Sequence, residues 1–187
     1  IKLFNTNDQA RAANDKRLEE MVNHKYNIDA KDSHKIAATT PLKFTGNLPS
    51  NIYICIGARF MLTINLDVED HLINGSIGTI QHIFMDEKHP LNGKFYVFFD
   101  DPKAGIKRRN RRINPDWVEI VPEVKSFKYG DHRIKRKQFP GIVAFAITIH
   151  KSQGGTYEYL EGFLDNQWNK PGMAYTMLSR AKSRSGL

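Results

Sequence analysis

Two short stretches of the sequence place phosphate-binding groups next to apolar scaffolding. Residues 146–156 read AITIHKSQGGT, so polar and charged side chains and two glycines follow directly on an apolar run. Residues 174–181 read AYTMLSRA, so Arg180 ends a second apolar segment. Side-chain donors, a cation and bare glycine backbone after a buried run are suited to an anionic ligand. We therefore expect phosphate groups to bind at these two stretches.

The second stretch predicts a helix with Arg180 on its open side. The spacing of Ala174, Met177, Leu178 and Ala181 matches the buried stripe of an amphipathic helix. The opposite, accessible face would carry Thr176, Ser179, Arg180 and Ser183. Arg180 is therefore expected to reach a neighbouring site.

Both stretches resemble motifs of superfamily 1 DNA helicases, most closely the petite-integration-frequency (PIF) type and its RecD and Dda relatives. AITIHKSQGGT resembles motif V, and AYTMLSRAKSRSGL resembles motif VI. Residues 57–80, with Asn65 and Asn74-Gly75, are similar to the segment between motifs IV and V, and residues 3–14 are similar to motif IV and its helix. The resemblance spans nearly the whole chain and implies the C-terminal half of such an enzyme.

The resemblance implies roles at an ATP site. Cleaving the terminal phosphate of ATP needs cations aimed at the charge of the transition state, and an arginine finger contributes about 10³–10⁵ in rate. Arg180 is the candidate finger. Alternatively, it is a solvated arginine at the end of a helix, where its charge interacts favourably with the helix dipole. Gln153, Gly154 and Gly155 are candidate phosphate binders, since glycine lets backbone amides approach without a Cβ clash. Their alternative is a helix-terminating turn.

A further group of residues is expected to face nucleic acid. The resemblance implies that motif V contacts the DNA backbone, for which lysine supplies charge and hydroxyl groups supply donors. A helix N-terminus, with its unpaired amides, is a second phosphate holder, although an ordinary helix cap explains the same residues. The candidate DNA-binding residues are Thr6, Asn7, Thr148, His150, Lys151 and Ser152. No metal site is expected, because no second ligand stands at a suitable spacing from His150.

Composition favours an intracellular nucleic-acid partner. The formal charge is +8 and the pI is near 9.5, which favours contact with a polyanion. The single Cys55 excludes an internal disulfide, and no apolar run approaches 18 residues, so no membrane span is expected. The nucleus is the favoured compartment and the mitochondrion the alternative. The chain begins Ile1-Lys2-Leu3-Phe4 without an initiator methionine, so we expect a piece of a longer protein.

The pattern of elements predicts an α/β fold with a small barrel in its middle segment. The family resemblance implies that this is a RecA-like parallel-sheet motor domain interrupted by a small Src-homology-3-like β-barrel. Residues 1–4 read as a strand, and Thr6-x-x-Gln9 reads as a capping box that opens a helix to about Lys25. The segment near Gln138 is expected to enter as a strand and end as a helix before Gly154. The predicted domains are 1–50 (first part of the motor domain and a connector), 51–130 (barrel) and 131–187 (remainder of the motor domain).

Short strands are predicted in the middle of the chain, where β-branched and aromatic residues are frequent. They cover residues 53–64, 77–84, 94–99 and 117–121, with a turn at Asn74-Gly75. Val97 to Asp101 imitates the apolar-run-then-acid pattern of Mg²⁺ sites, but a strand ending in an Asp-Asp-Pro turn is the better account.

Two segments of the sequence are rich in basic residues. Residues 103–112 hold six cations and no acid, and residues 133–137 hold four cations. They are candidates for DNA binding or a nuclear address, and a solvated hairpin loop accounts for the first equally well. The cations are Lys103, Lys107, Arg108, Arg109, Arg111, Arg112, Arg133, Lys135, Arg136 and Lys137.

The sequence lacks the other half of an ATP site. No G-x-x-x-x-G-K-[ST] loop occurs, and no convincing Mg²⁺-binding acidic pair follows a core strand. ATP and Mg²⁺ are therefore expected to bind mainly to a missing N-terminal half, and this chain alone is expected to be inactive as an ATPase.

The favoured function is part of an ATP-dependent DNA helicase that moves 5′ to 3′, by resemblance, on single-stranded and forked DNA as a monomer. Repair, recombination and telomere maintenance use such motors. The alternatives are a catalytically inactive nucleic-acid-binding remnant of a helicase or mobile element, an RNA-directed helicase, and a purely structural domain. A phosphate-binding loop upstream of Ile1 would separate the first two.

Overall fold

A computed structural model describes residues 1–109, 112–162 and 172–187. The chain divides into two compact units, one of residues 1–22 and 144–187, the other of residues 23–143. Both helix and sheet are present, and one sheet is parallel, so the predicted α/β class is confirmed. The second unit includes strands at residues 26–32, which pair with later strands of the same unit. No helix among the described residues is long and apolar enough to cross a membrane.

The first unit is built on a three-stranded parallel sheet with its first strand in the centre. Its elements are β1 (Lys2–Phe4), α1 (Asn7–Glu19), β12 (Ala146–Thr148), β13 (Glu161–Gly162), α2 (Met173–Leu178) and a 3₁₀ turn (Arg184–Gly186). β1 lies between β12 and β13, and its residue Leu3 is fully buried. The predicted first strand is therefore confirmed.

The N-terminus of α1 is set by its own sequence. Thr6 Oγ1 accepts a hydrogen bond from the Gln9 amide at 3.3 Å, and Gln9 Oε1 accepts one from the Thr6 amide at 3.2 Å. This is the predicted capping box. The helix ends at Glu19 rather than near Lys25, and Val22 is 99% exposed. The chain leaves the helix early because Tyr26–Asp29 forms a strand of the second unit.

The predicted buried stripe of the second helix is right at Met177 and wrong at Ala174 and Leu178. Met173 and Met177 are its buried residues, while Ala174 and Leu178 are exposed. The reason lies in the neighbouring sheet: a Cβ added at Gly162 would come within 1.8 Å of the Met177 sulfur. Met177 therefore packs over a bare glycine of β13, and Met173, one turn earlier, follows it inward.

The segment before Gly154 enters as a strand, as predicted, but does not end as a helix. β12 gives way to a single turn in which the Ser152 amide donates to the Thr148 carbonyl at 3.1 Å. Gly154 has φ +82°, a left-handed conformation that stops a right-handed turn from continuing.

The second unit is all-β apart from 3₁₀ turns among its described residues. Its strands are β2 (Tyr26–Asp29), β3 (Lys31–Asp32), β4 (Asn51–Ile54), β5 (Arg59–Leu62), β6 (Ile77–Phe84), β7 (Lys94–Phe99), β8 (Val118–Ile120), β9 (Glu123–Tyr129), β10 (His132–Gln138) and β11 (Gly141–Val143). The 3₁₀ turns are Lys35–Thr39, Leu42–Phe44, Pro90–Asn92 and Ile106–Arg108.

Three sheets organise these strands, in the orders β11-β5-β6-β7-β8, β3-β10-β9 and β2-β4. β6 and β7 match the predicted bounds, and the turn at Asn74-Gly75 is present. The predicted strand 53–64 is two strands, because Gly57 adopts φ +86° between them. The core includes Phe60, Phe95 and Phe139. The ring centroids of Phe60 and Phe95 lie 5.1 Å apart, and those of Phe95 and Phe139 lie 5.0 Å apart.

The basic segment 103–109 is the hairpin connection between β7 and β8, where the buried carboxylate of Asp70 holds it. Both Asp70 oxygens accept from the Lys107 amide at 3.1 Å. Asp101 Oδ1 accepts from the Lys103 amide at 2.9 Å, so the predicted Asp-Asp-Pro turn is present. Arg111 lies outside the described residues.

Arg136 is not a nucleic-acid contact, contrary to one interpretation of its segment. Its side chain is 1% exposed. Nε and Nη2 donate to the two Asp32 oxygens at 2.8 Å each, and Nη1 and Nη2 donate to the Leu48 and Ala37 carbonyls at 3.0 and 2.6 Å. Arg136 ties together segments that are far apart in the sequence.

Candidate functional site

Because β1 and β12 pair in parallel, the segments that follow them, the start of α1 and the turn after Thr148, lie at the same edge of the sheet. Lys2 pairs with Ala146 and Phe4 with Thr148, so both strands end together. The Ile149 amide donates to the Phe4 carbonyl at 3.0 Å, which continues the ladder past the last pair. Ligands of open α/β sheets bind at the carboxyl ends of the strands. The turn 149–155 and the start of α1 follow directly on these ends.

Thr6 and Asn7 lie at this edge, at the start of α1. The Thr6 hydroxyl is engaged in the capping box, so the structure gives it the role of a helix cap. Asn7 is exposed at the first position of a 13-residue helix. The positive end of the helix dipole and the exposed Asn7 amide side chain are both groups that favour an anion.

The hydroxyls of Thr148 and Ser152 shape the turn from inside. Ser152 is fully buried, and its Oγ donates to the Ile149 carbonyl at 2.7 Å. Thr148 is 5% exposed, and its Oγ1 accepts from the Lys151 amide at 3.4 Å. These two hydroxyls therefore do not point to solvent. The side chains that the turn presents outward are those of His150, Lys151 and Gln153.

Lys151 is the cation of this turn. Its side chain reaches the surface, yet the surrounding protein removes part of the water from its ammonium, and this desolvation lowers the pKa of Lys151. A nearby anion would raise that pKa again by favouring the charged form. The turn thus holds a partly desolvated ammonium group, whose charged form a bound anion would stabilise.

Arg180 is anchored to the glycine end of the turn. Its Nη1 donates to the Gly155 carbonyl at 3.3 Å, its Nε to the Thr176 carbonyl at 3.2 Å and its Nη2 to the Ser179 hydroxyl at 3.1 Å. A guanidinium has five N–H donors, so two have no protein partner within residues 1–109, 112–162 and 172–187. Arg180 is half-buried, so the remaining donors are oriented by the fold.

Gly154 and Gly155 have different surroundings. A Cβ at Gly154 would meet nothing within 4 Å, and its amide has no hydrogen-bond partner in the described part of the chain. The Gly155 amide donates to the Ser152 carbonyl at 3.0 Å. A Cβ at Gly155 would lie 2.5 Å from the Tyr157 hydroxyl. Gly154 therefore offers the open amide, and Gly155 offers the carbonyl that anchors Arg180.

A short parallel bridge, for which no sequence pattern is a signal, joins the two motifs. The Tyr157 amide donates to the Arg180 carbonyl at 2.8 Å, and the Lys182 amide donates to the Tyr157 carbonyl at 2.8 Å. An exposed ion pair between Lys182 and Glu158, 2.7 Å apart, lies beside it. The bridge fixes the backbone of Arg180 relative to the turn that ends at Gly155.

Asn14 is a second positioning residue that the sequence did not reveal. Its Nδ2 donates to the Ala146 carbonyl at 2.7 Å, and its Oδ1 accepts from the Ala146 amide at 2.8 Å. One amide side chain of α1 thus pairs both backbone groups of an edge strand, as a neighbouring strand would. This contact holds β12, and with it the start of the turn, against α1.

No protein-family model matches the chain. An ATP-dependent DNA helicase PIF1 of Emericella nidulans is 30% identical over 227 residues, covering 100% of this chain and 30% of that relative. The chain therefore spans about a third of the length of that relative.

Solved structures agree in fold. The crystal structure of Pif1 helicase from Candida albicans superposes with a TM-score of 0.72 and 24% identity, covering 100% of this chain and 43% of that one. Pif1 helicase from Bacteroides in complex with ADP-AlF₃ and ssDNA superposes with a TM-score of 0.65 and 21% identity, covering 100% of this chain and 39% of that one.

Proposed function

We propose that this chain, which belongs to the PIF1-type family of DNA helicases, supplies an arginine finger and part of the DNA groove of an ATP-dependent motor. The observation that carries the proposal is the bond from Arg180 Nη1 to the Gly155 carbonyl. It links the residue suited to a developing phosphate charge to the turn suited to a nucleic-acid backbone.

The ATP side of the proposal rests on Arg180 and Gly154. A transferred phosphoryl group spreads negative charge over its oxygens in the transition state, and preoriented cations and amides stabilise it. The two remaining guanidinium donors and the open Gly154 amide fit such an anion. Gln153 and Gly155 complete the turn around it. In this proposal ATP and Mg²⁺ are held mainly by residues outside this chain.

The DNA side rests on His150, Lys151 and Asn7. All three are exposed at the carboxyl edge of the parallel sheet. Cations and side-chain donors hold a nucleic-acid backbone without reading its bases. In the proposal Thr6, Thr148 and Ser152 shape this surface through their local hydrogen bonds, and the backbone amides near them remain candidate contacts.

The remaining elements of the proposal follow the family. The second unit is the Src-homology-3-like barrel, and the first unit is one RecA-like motor domain. The partners are single-stranded and forked DNA, with movement 5′ to 3′ by a monomer in the nucleus or mitochondrion. The alternative to a motor is an inactive nucleic-acid-binding remnant. A motor hydrolyses ATP in the longer protein, whereas a remnant does not.

Residues 1–187 alone should not hydrolyse ATP. The chain has no phosphate-binding loop of the G-x-x-x-x-G-K-[ST] type, so Arg180 would have no bound γ-phosphate to act on. A phosphate-release assay with and without single-stranded DNA tests this directly. DNA-stimulated turnover that disappears in Arg180→Ala would show that the chain carries a complete site, and the proposed division of the site would then be abandoned.

Replacing Lys151 by alanine in the longer protein should weaken single-stranded DNA binding about tenfold. A charge-assisted hydrogen bond contributes about 1.5 kcal/mol or more, and each lost phosphate contact lowers the salt slope of binding by about 0.7. Fluorescence anisotropy over a range of salt concentrations measures both quantities. Lys16→Ala, an exposed lysine of the same unit, is the matched control. An unchanged affinity and salt slope for Lys151→Ala would remove this residue from the groove.

DNA affinity is also expected to depend on pH through Lys151. Because desolvation lowers the pKa of Lys151, its positive charge is lost at a lower pH than that of an ordinary lysine. DNA affinity should therefore fall as the pH rises through that lowered pKa. Lys151→Arg keeps its charge throughout this range, so the fall should disappear in that variant.

A further inference from the structure

One face of the β3-β10-β9 sheet carries a row of cations. On β10 the side chains of Ile134, Arg136 and Gln138 are buried, whereas Arg133 and Lys135 are exposed and Lys137 is half-buried. Side chains alternate between the two faces of a strand, so the last three share the outer face. Lys128 of β9 lies opposite Arg133, and Lys31 of β3 lies opposite Lys137. We call these five residues the cationic ladder: Lys31, Lys128, Arg133, Lys135 and Lys137.

The ladder has no acidic partners in the part of the chain that the structure describes. None of its five side chains makes an ion pair there. Like charges directly opposite each other destabilise a sheet, and the ladder contains two such pairs, Lys128 with Arg133 and Lys31 with Lys137. A solvated protein surface normally intersperses both signs. An anionic partner would therefore relieve the charge repulsion on this face.

The inner face of the same sheet keeps the ladder in register. Arg136 joins β10 to Asp32 of β3 through two hydrogen bonds of 2.8 Å. Because Lys31 precedes Asp32 and Lys137 follows Arg136, this buried pair sets the two ladder cations side by side. Gln138 Nε2 also donates to the Ile28 carbonyl at 2.9 Å. The ladder is thus preorganised by contacts that its partner does not have to supply.

The shape and composition of the ladder fit a polymeric phosphate. Arg133, Lys135 and Lys137 are spaced about 6.6–6.8 Å apart along one strand, which makes an extended row on an open sheet face. The aromatic side chains of β9, Phe127 and Tyr129, alternate to the other face. Single-stranded sites combine cations with aromatic rings on which bases stack. A duplex has its bases already stacked inside the helix and presents its phosphate backbone to the outside.

We propose that the cationic ladder binds the sugar-phosphate backbone of a nucleic-acid duplex, without sequence preference and without a requirement for nucleotide. This goes beyond the proposed motor function, which concerns the single strand at the edge of the parallel sheet in the other unit. It also assigns a role to the basic residues of segment 133–137 other than Arg136.

The test uses the longer protein carrying Arg133→Gln, Lys135→Gln and Lys137→Gln together, with no nucleotide present. The probes are a short blunt DNA duplex and an oligothymidine strand, titrated between about 50 and 200 mM salt. The plot of log affinity against log salt for the duplex should become shallower by about 2 to 3, since each lost contact removes about 0.9. Binding of oligothymidine should stay the same.

The matched control removes three exposed lysines elsewhere, Lys16→Gln, Lys43→Gln and Lys88→Gln, and so makes the same change in net charge. Equal duplex slopes for the two triple variants would overturn the proposal. A loss confined to oligothymidine would overturn it too, because the ladder would then be a single-strand site. The thermal midpoint of the ladder variant should not fall, because removing like-charge repulsion does not destabilise the sheet. Failure of the motor function would appear in ATP hydrolysis and would leave this duplex measurement unaffected.

Discussion

Arg180→Ala in the longer protein should lower the rate constant of DNA-stimulated ATP hydrolysis by about 10³–10⁵, the contribution of an arginine finger. DNA affinity should stay within about twofold, because Arg180 itself is bonded to carbonyl and hydroxyl groups of its own unit. The rate constant is measured as single-turnover phosphate release at saturating ATP and DNA. This separates the chemical step from binding.

Two further variants make the result specific to the guanidinium. Arg184→Ala removes an exposed arginine four residues away and should hydrolyse ATP at nearly the original rate. Arg180→Lys keeps the charge but loses the planar fork that spans Gly155, Thr176 and Ser179, so it should recover little. A drop of less than tenfold for Arg180→Ala, or an equal drop for Arg184→Ala, would contradict the assignment of the finger.

Asp32→Asn should lower the free energy of unfolding by about 3–5 kcal/mol, the cost of breaking a buried ion pair. Arg136 is 1% exposed and donates hydrogen bonds of 2.8 Å to both carboxylate oxygens of Asp32. After the substitution the guanidinium keeps its carbonyl contacts to Leu48 and Ala37 but has no counter-charge. Urea denaturation followed by circular dichroism measures the change.

The control for this pair lies on the same strand. Arg133→Met changes an exposed arginine three residues before Arg136 and should alter stability by no more than about 0.5 kcal/mol. The double variant Asp32→Leu with Arg136→Met should be more stable than Asp32→Asn, since apolar packing replaces a buried charge without leaving it unpaired. Equal midpoints for Asp32→Asn and the original protein would show that the pair does not hold the sheet together.

Local signals predicted local structure in this chain. The capping box of Thr6 and Gln9 needs only four consecutive residues, so its sequence was sufficient to place the start of α1. The strands 77–84 and 94–99 were found because β-rich runs end at clear turns. The juxtaposition of Thr6 and Asn7 with the turn after Thr148 required the parallel register, which no local pattern contains.

The errors have tertiary causes. Helix α2 is six residues long, too short for its own periodicity to decide which face is buried. The bare surface of Gly162 accommodates Met177, as the stripe requires, but the neighbouring predicted positions Ala174 and Leu178 stay exposed. Arg136 was grouped with its basic neighbours by composition alone. The alternation of β10 held the missing signal, since Arg136 shares the face of the apolar Ile134.

The hydroxyls of Thr148 and Ser152 illustrate a further limit. Their residue type suits a phosphate contact, but the structure directs them to the backbone of their own turn. A donor in a sequence motif can serve the ligand or the loop that surrounds it. Only the geometry distinguishes these two roles, and here it leaves His150, Lys151 and Gln153 facing outward.

In the proposed function, Arg180 acts on phosphate charge that exists only in the transition state. The most direct measurement compares ADP with ADP plus aluminium fluoride, which mimics that state, in binding to the longer protein with DNA present. We expect Arg180→Ala to bind ADP as the original protein does but to lose the extra affinity that aluminium fluoride confers. If the variant retains that extra affinity in full, Arg180 is not the finger and the claim fails.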